Sequence, residues 1–389
     1  MTTSQNLGVT AAKGFRAAGV TAGIKASGTP DLALVVNDGP QLAAAGVFTS
    51  NRVKAAPVLW SEQVVKGGQI SAVVLNSGGA NACTGPAGFQ DTHATAEKVA
   101  AELGLNAGEV AVASTGLIGV RLPMDILLPG VEQAAKALSE DGGEAAAIAI
   151  KTTDTVHKTA QVSQGGWTVG GMAKGAGMLA PSLATMLVVI TTDAVVDAPG
   201  LDAALRSATN VTFDRIDSDG CMSTNDTVLL LASGASGVTP DAAEFAAAVA
   251  TVSADLARQL IGDAEGASKD IRIDVVNAAT EAEAVEVART ISRNNLLKCA
   301  LHGEDPNWGR VLAAIGTTAA AFDPNQLNVA INGVWVCKDG GVGEDRDLVD
   351  MTGREIVITA DLRAGEAKAS VWTNDLTADY VHENSAYST

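Results

Sequence analysis

Thr185 carries the strongest chemical signal in the chain. It closes a small-residue loop, MAKGAGMLAPSLA over 172–184, and opens an unbroken apolar run over 186–190. Five apolar residues bounded by Thr and Gly/Pro signals predict a buried strand. The loop therefore delivers one hydroxyl to the first position of a rigid mount, which suits a nucleophile because positioning supplies much of its rate advantage. A threonine hydroxyl is weak until a base stands beside it. One remedy makes the residue the first of a chain, where its own α-amine, of ordinary pKa about 7.7–8.0, accepts and returns the proton. Thr185 lies mid-chain, so this chemistry requires cleavage of the Ala184–Thr185 bond. Ala184 is small and leaves the hydroxyl room to approach the preceding carbonyl. Taken by itself, Thr185 reads first as a threonine that merely begins a strand, as Thr often does.

Acyl transfer through an ester also needs donors for the developing oxyanion. Thr115 and Gly116 follow a predicted strand, 109–113, at a turn where glycine permits unusual dihedrals and an N–H can point into a cavity. Alone the pair reads as an ordinary turn. Lys174 lies in AKGAG, which lacks the spacing of a phosphate-binding P-loop. Thr152 opens TTDT, where a cap or turn residue is the plain reading. Glu265 sits among small residues in GDAEG, and Asn384 and Thr389 close the chain in a tail without a charge run. His93, His157, His302 and His382 show no metal spacing and no evident Ser or Asp partner, so they read as structural and no metal site is indicated.

Eight blocks occur in a fixed order: NSGGANACTG (76–85), STGLIGVRLPMD (114–125), KTTDT (151–155), MAKGAGMLAPSLATML (172–187), STNDT (223–227), GDAEGASK (262–269), HGEDPNWGR (302–310) and YVHENSAYST (380–389). Together they resemble the ornithine acetyltransferase family of arginine biosynthesis, also called bifunctional glutamate N-acetyltransferases. The likeness runs from near Gly14 to the last residue, and ordered blocks are far more specific than any one motif.

The resemblance implies an α/β fold: a layered sandwich of helices and sheets of the ornithine acetyltransferase / DmpA-like type, with a smaller C-terminal α+β domain. It implies self-cleavage between Ala184 and Thr185, Thr185 as nucleophile, and Thr115 and Gly116 as the oxyanion hole. Thr152, Lys174, Thr185, Glu265, Asn384 and Thr389 would bind substrate. The acetyl group would pass from N2-acetylornithine to glutamate, with no bound cofactor. Some members also accept acetyl-CoA, which enters as a second donor substrate. The processed chains would pair as an α2β2 heterotetramer. Three positions depart from the family pattern: Glu383 and Ser388 in the tail, and Gly79 where an Asn is common. Two other readings remain: an N-terminal-nucleophile aminopeptidase or amidohydrolase, and an unprocessed small-molecule binding protein.

Several elements must position these groups. Strands are expected at 32–36, 72–75, 109–113, 186–192, 228–231 and 271–276, and helices at 91–103 (capped by Asp91), 131–138, 144–150, 242–261 and 281–297. Short strands follow at 329–332, 334–337, 355–361 and 367–372. The 389 residues exceed the size of one growing core, so two domains are expected, 1–276 and 277–389. Apolar residues make up 47% and aromatics only 3%, so Ala, Val, Leu and Ile must fill the core. A net charge of −18 argues against nucleic-acid or membrane-surface partners. An anionic substrate would then need local positive charge, for which Lys174 and Lys269 are candidates. The N-terminus lacks the features of a signal peptide and no apolar run is long enough to span a bilayer, so a cytoplasmic protein is expected. Cys83, Cys221, Cys299 and Cys337 form no CxxC and read as small buried thiols.

Overall fold

A computed structural model describes residues 7–180 and 186–386. The chain divides into two compact units, one of Met1–Asp214 with Cys221–Asp263 and one of Arg215–Gly220 with Ala264–Ser388. In the first unit the strands are β1 (Phe15–Val20), β2 (Leu32–Asn37), β3 (Ala43–Phe48), β4 (Ala72–Ser77), β5 (Val110–Thr115), β6 (Lys158–Gln164), β7 (Trp167–Lys174), β8 (Leu187–Thr192) and β9 (Thr227–Ala232). Its helices are α1 (Ala56–Val65), α2 (Gly85–Leu103), α3 (Met124–Lys136), α4 (Gly143–Ala149), α5 (Ala198–Val211) and α6 (Ala242–Gly262).

These strands build two sheets, ordered β1-β2-β4-β5 and β3-β9-β8-β7-β6. Successive side chains on a strand face opposite ways, and the two faces of the first sheet have different neighbours. Ala33, Val35, Val73, Leu75, Ala111 and Ala113 join Leu187, Val189, Leu229 and Leu231 of the second sheet in one core. Leu32, Leu34, Val36, Val74 and Val112 pack instead on Ala96 and Val99 of α2 and on Leu127 and Val131 of α3. The outer face of the second sheet meets α5 and α6. The result is a helix–sheet–sheet–helix sandwich. Strands apolar on both faces explain the unbroken hydrophobic runs.

The second unit carries β10 (Asp270–Ala278), β11 (Asn328–Ile331), β12 (Val334–Lys338), β13 (Gly341–Val342), β14 (Glu355–Asp361) and β15 (Ala367–Asn374) in one sheet, ordered β13-β12-β11-β14-β10-β15. Helices α7 (Glu281–Ser292), α8 (Asn295–His302) and α9 (Trp308–Ile315) contribute to its core, and α10 (Ala378–Glu383) follows β15. The sequence-based boundary near residue 277 falls within β10, whereas the compact units part between Asp263 and Ala264.

Several local expectations are corrected. Helix α2 starts at Gly85, with Pro86 in its first turn, rather than at Asp91. Proline at that position lacks only an N–H that the helix would leave unbonded. Asp91 is a buried mid-helix residue bound by Arg121 at 2.6 and 2.8 Å. The expected helix 281–297 is two helices, because the Asn294 side chain accepts the Leu297 N–H at 2.9 Å and caps a new start. Of the four thiols only Cys337 is buried; Cys83, Cys221 and Cys299 are exposed. No helix among the described residues is long and apolar enough to cross a membrane.

Candidate active site

In the first unit the ends of β5 and β7, the start of β8 and the approach to β9 converge. Thr115 is the last residue of β5, which is an edge strand. Its carbonyl accepts two N–H groups, from Gly78 at 2.9 Å and Gly79 at 3.0 Å. In a trans peptide the next N–H points opposite to the carbonyl, so this double anchor aims the Gly116 N–H away from the 78–79 loop. Gly116 has φ 130°, and a Cβ there would lie 2.6 Å from the Gly79 nitrogen. Only glycine fits. The departure at Gly79 falls on this same contact, where a Cβ would meet Leu122 Cδ2 at 2.9 Å.

Lys174, the last residue of β7, is 2% exposed and donates to Thr115 Oγ1 at 3.2 Å. In the β7–β8 register it stands opposite Leu187. The ammonium is thus held beside the Thr115–Gly116 turn.

Asp154 ties a further loop to Lys174. Its carboxylate accepts the Thr152 N–H at 3.0 Å and the Gly175 N–H at 2.7 Å, and pairs with buried Lys158 at 2.7 Å. Burial alone would raise its pKa. The charges of Lys174 and Lys158 and the two hydrogen bonds from Lys158 and Gly175 overcome that and hold it at about 2. The expected residues Thr115, Gly116, Thr152 and Lys174 are therefore brought into one neighbourhood, with Asp154 as the clamp. Ala184, Thr185 and Thr389 lie outside the described residues.

The STNDT segment before β9 supplies two residues that the sequence reading quoted only as part of a block. Asn225 donates through Nδ2 to the carbonyls of Ala80 and Ser114, at 2.6 and 2.8 Å, and so couples the end of β5 to β9. Asp226 is fully buried and accepts the Met186 N–H at 3.0 Å.

In the second unit, Asn384 Nδ2 donates to Glu265 Oε2 at 2.9 Å, so these two expected residues form a pair. Lys269 does not offer a free charge. Its buried ammonium donates to Glu304 Oε1 at 2.9 Å and to the carbonyls of Met351, Thr352 and Gly353 at 2.6, 3.4 and 3.0 Å. His302 does have the partners that the sequence hid. Its Nδ1 meets Asp375 Oδ2 at 2.9 Å and Ser268 Oγ at 3.2 Å. Both partners use the same ring nitrogen, whereas a nucleophilic relay needs the serine on the other. Asp375 also accepts the N–H groups of Ser268 and Lys269, each at 2.9 Å, so the cluster anchors a loop.

The sequence pattern of the ArgJ family matches residues 16–389. The chain belongs to the ArgJ family. Arginine biosynthesis bifunctional protein ArgJ of Streptomyces coelicolor is 78% identical over 382 residues, which cover 98% of this chain and 100% of that one. The protein of the same name from Thermobifida fusca is 64% identical, covering 98% of this chain and 100% of its own. A crystal structure of ornithine acetyltransferase from Mycobacterium tuberculosis, complexed with ornithine, shares 63% identity over 46% of this chain and 96% of that chain, with a TM-score of 0.45. ArgJ membership covers both units, and with them every block that the sequence reading singled out.

Proposed function

We propose that the protein moves the acetyl group of N2-acetylornithine to glutamate in arginine biosynthesis, through an ester on Thr185 formed after the chain cuts itself between Ala184 and Thr185. The observation that carries this reading is the anchored Thr115–Gly116 peptide beside buried Lys174, next to the strand that begins just after Thr185. It is an arrangement of donors suited to an oxyanion, and each such donor is worth about 10²–10³ in rate.

In the first event Thr185 Oγ attacks the Ala184 carbonyl carbon. The C–N bond breaks, and the hydroxyl proton ends on the Thr185 nitrogen. Water then hydrolyses the ester, giving its hydroxide to Ala184 and its other proton to Oγ. In turnover the new α-amine takes the Oγ proton as Oγ adds to the acetyl carbon of the donor. Gly116 N–H and the Thr115 hydroxyl stabilise the oxyanion, and ornithine leaves with the proton on its nitrogen. The glutamate amine attacks the acetyl ester, and its proton returns through the α-amine to Oγ. Lys174 and Thr152 would hold substrate carboxylate, and Glu265, Asn384 and Thr389 the amino end of the donor.

The word bifunctional in the relatives' name supports a second donor, acetyl-CoA, as a substrate rather than a bound group. The same reading places the enzyme in the cytoplasm and pairs the processed chains as an α2β2 heterotetramer. Intact mass under denaturing conditions tests it. The wild type should give two fragments, one beginning at Thr185, and Thr185→Ala should stay whole. Initial rates should then give parallel lines for the two substrates. A wild type that remains one chain would remove the α-amine base and the mechanism with it.

A further inference from the structure

Lys25 is a partly buried cation that the steps above do not use. It ends a turn, residues 22–25, between β1 and β2. Buried Asp31 holds that turn: Oδ1 accepts the Ala22 N–H at 2.7 Å, and Oδ2 accepts those of Gly23, Ile24 and Lys25 at 3.1, 2.6 and 3.0 Å. The turn touches both sides of the candidate site. A Cβ on Gly78 would lie 2.7 Å from Ile24 Cγ2, so Ile24 packs flat against the residue whose N–H anchors the Thr115 carbonyl. Lys25 Nζ donates to the carbonyls of Lys151 at 2.5 Å and Pro30 at 3.1 Å. The Lys151 carbonyl and the Thr152 N–H belong to one planar peptide. Lys25 grips its oxygen, and Asp154 grips its N–H at 3.0 Å. Lys25 is therefore fixed beside Thr152, while Asp154 reaches on to Gly175, next to Lys174.

The two carbonyls use two of the three ammonium hydrogens. The third has no acceptor among the described residues, and Lys25 makes no ion pair there. With 44 acidic side chains against 26 basic ones, carboxylates are plentiful, so a partly buried lysine without one asks for a reason. The carboxylates nearby are engaged elsewhere: Asp31 by the turn, and Asp154 by Lys158, Thr152 and Gly175. Burial lowers the pKa of Lys25, and the charges of Lys174 and Lys151 lower it further against the pull of Asp31 and Asp154. Two ammonium groups within electrostatic reach of one another repel, and an anionic ligand relieves that cost.

We infer that Lys25 is a further substrate-binding residue, which joins Lys174 and Thr152 in receiving the α-carboxylate that N2-acetylornithine and glutamate have in common. The inference rests on the acetyl-transfer reading above. Donor and acceptor occupy one site in turn, and the α-carboxylate is the group that both present. A second cation there selects carboxylates over neutral amides.

The test compares two donors, N2-acetylornithine and its α-carboxamide, on the wild type and on Lys25→Met, which keeps the length and removes the charge. The variant should still cut itself, because cleavage involves no substrate carboxylate. It should lose about tenfold in kcat/KM with acetylornithine and less than about threefold with the carboxamide. An equal loss with both donors overturns the proposal, since a lysine that only holds the 151–152 peptide would penalise them alike. No loss with either donor, or a folded variant that stays uncut, overturns it as well. A second measurement needs no variant. Saturating ornithine should slow reductive methylation of Lys25 in the wild type at least about fivefold, as expected when its free N–H is occupied, and leave exposed Lys136 unchanged. Equal labelling of Lys25 with and without ornithine overturns the proposal. A wild type that moves no acetyl group from acetylornithine to glutamate is recognised before any variant is made, and it removes the acetyl-transfer reading itself.

Discussion

Lys174 Nζ stands 3.2 Å from Thr115 Oγ1, joining the last residue of β7 to the last residue of β5 across two different sheets. The contact puts a buried ammonium beside the peptide proposed to meet the oxyanion. Lys174→Met keeps the length and removes the charge. It should lower kcat/KM for acetylornithine by about 100-fold, because a charge-assisted contact in a dry site is lost. Steady-state rates with the processed variant check this, and a loss under about threefold would take Lys174 out of the site.

Gly116→Ala should damage chemistry more than binding. The added Cβ faces the Gly79 nitrogen at 2.6 Å, on a backbone of φ 130°. Strain of about 1–3 kcal/mol should turn the 115–116 peptide and misdirect its N–H. The expected result is a kcat lowered by about 10²–10³ with KM within about threefold, read from full saturation curves.

Asp154 links the pH dependence of stability to the site. Its folded pKa of about 2 is below the ordinary 3.8, so the stabilisation is full above about pH 4 and is lost as pH falls towards 2. Asp154→Asn should therefore lower stability by at least about 2 kcal/mol at pH 7, and the gap from the wild type should narrow as pH falls below 4. Urea midpoints from pH 7 to pH 3 measure this, and a gap independent of pH would contradict it.

Glu265 and Asn384 pair with each other within the second unit, at 2.9 Å. Glu265→Gln should raise the KM for acetylornithine by about tenfold, as for one lost charge-assisted contact. Self-cleavage and kcat should be near wild type. A variant that is unchanged in KM would release both residues from substrate binding.

Much was legible in the order of residues. The buried strands announced themselves because both faces of each sheet are covered: residues 32–36 and 72–75 are apolar without alternation. The block order carried the family. Other elements were hidden for local reasons. Strand β7, WTVGGMAK, holds two adjacent glycines that mask a strand, yet Gly171 lies flat against Val252 and Leu256 of α6, where a side chain would crowd. Pro129 sits inside α3 and made the helix look shorter than it is. Lys174 and Lys269 are alike in sequence, two lysines in glycine-containing loops, but one faces Thr115 and the other is enclosed by carbonyls.

The sequence by itself determined the nucleophile candidate, the family and the apolar strands, since these depend on residue type and on spacing along one chain. The tertiary structure alone decided which polar groups meet. Thr115 is 59 residues from Lys174, Met186 is 40 from Asp226, and Ser114 is 111 from Asn225. Separations of that size carry no local pattern, because the pairing is made by sheet register and by the stacking of two sheets, which bring strand ends together whatever their distance in the chain.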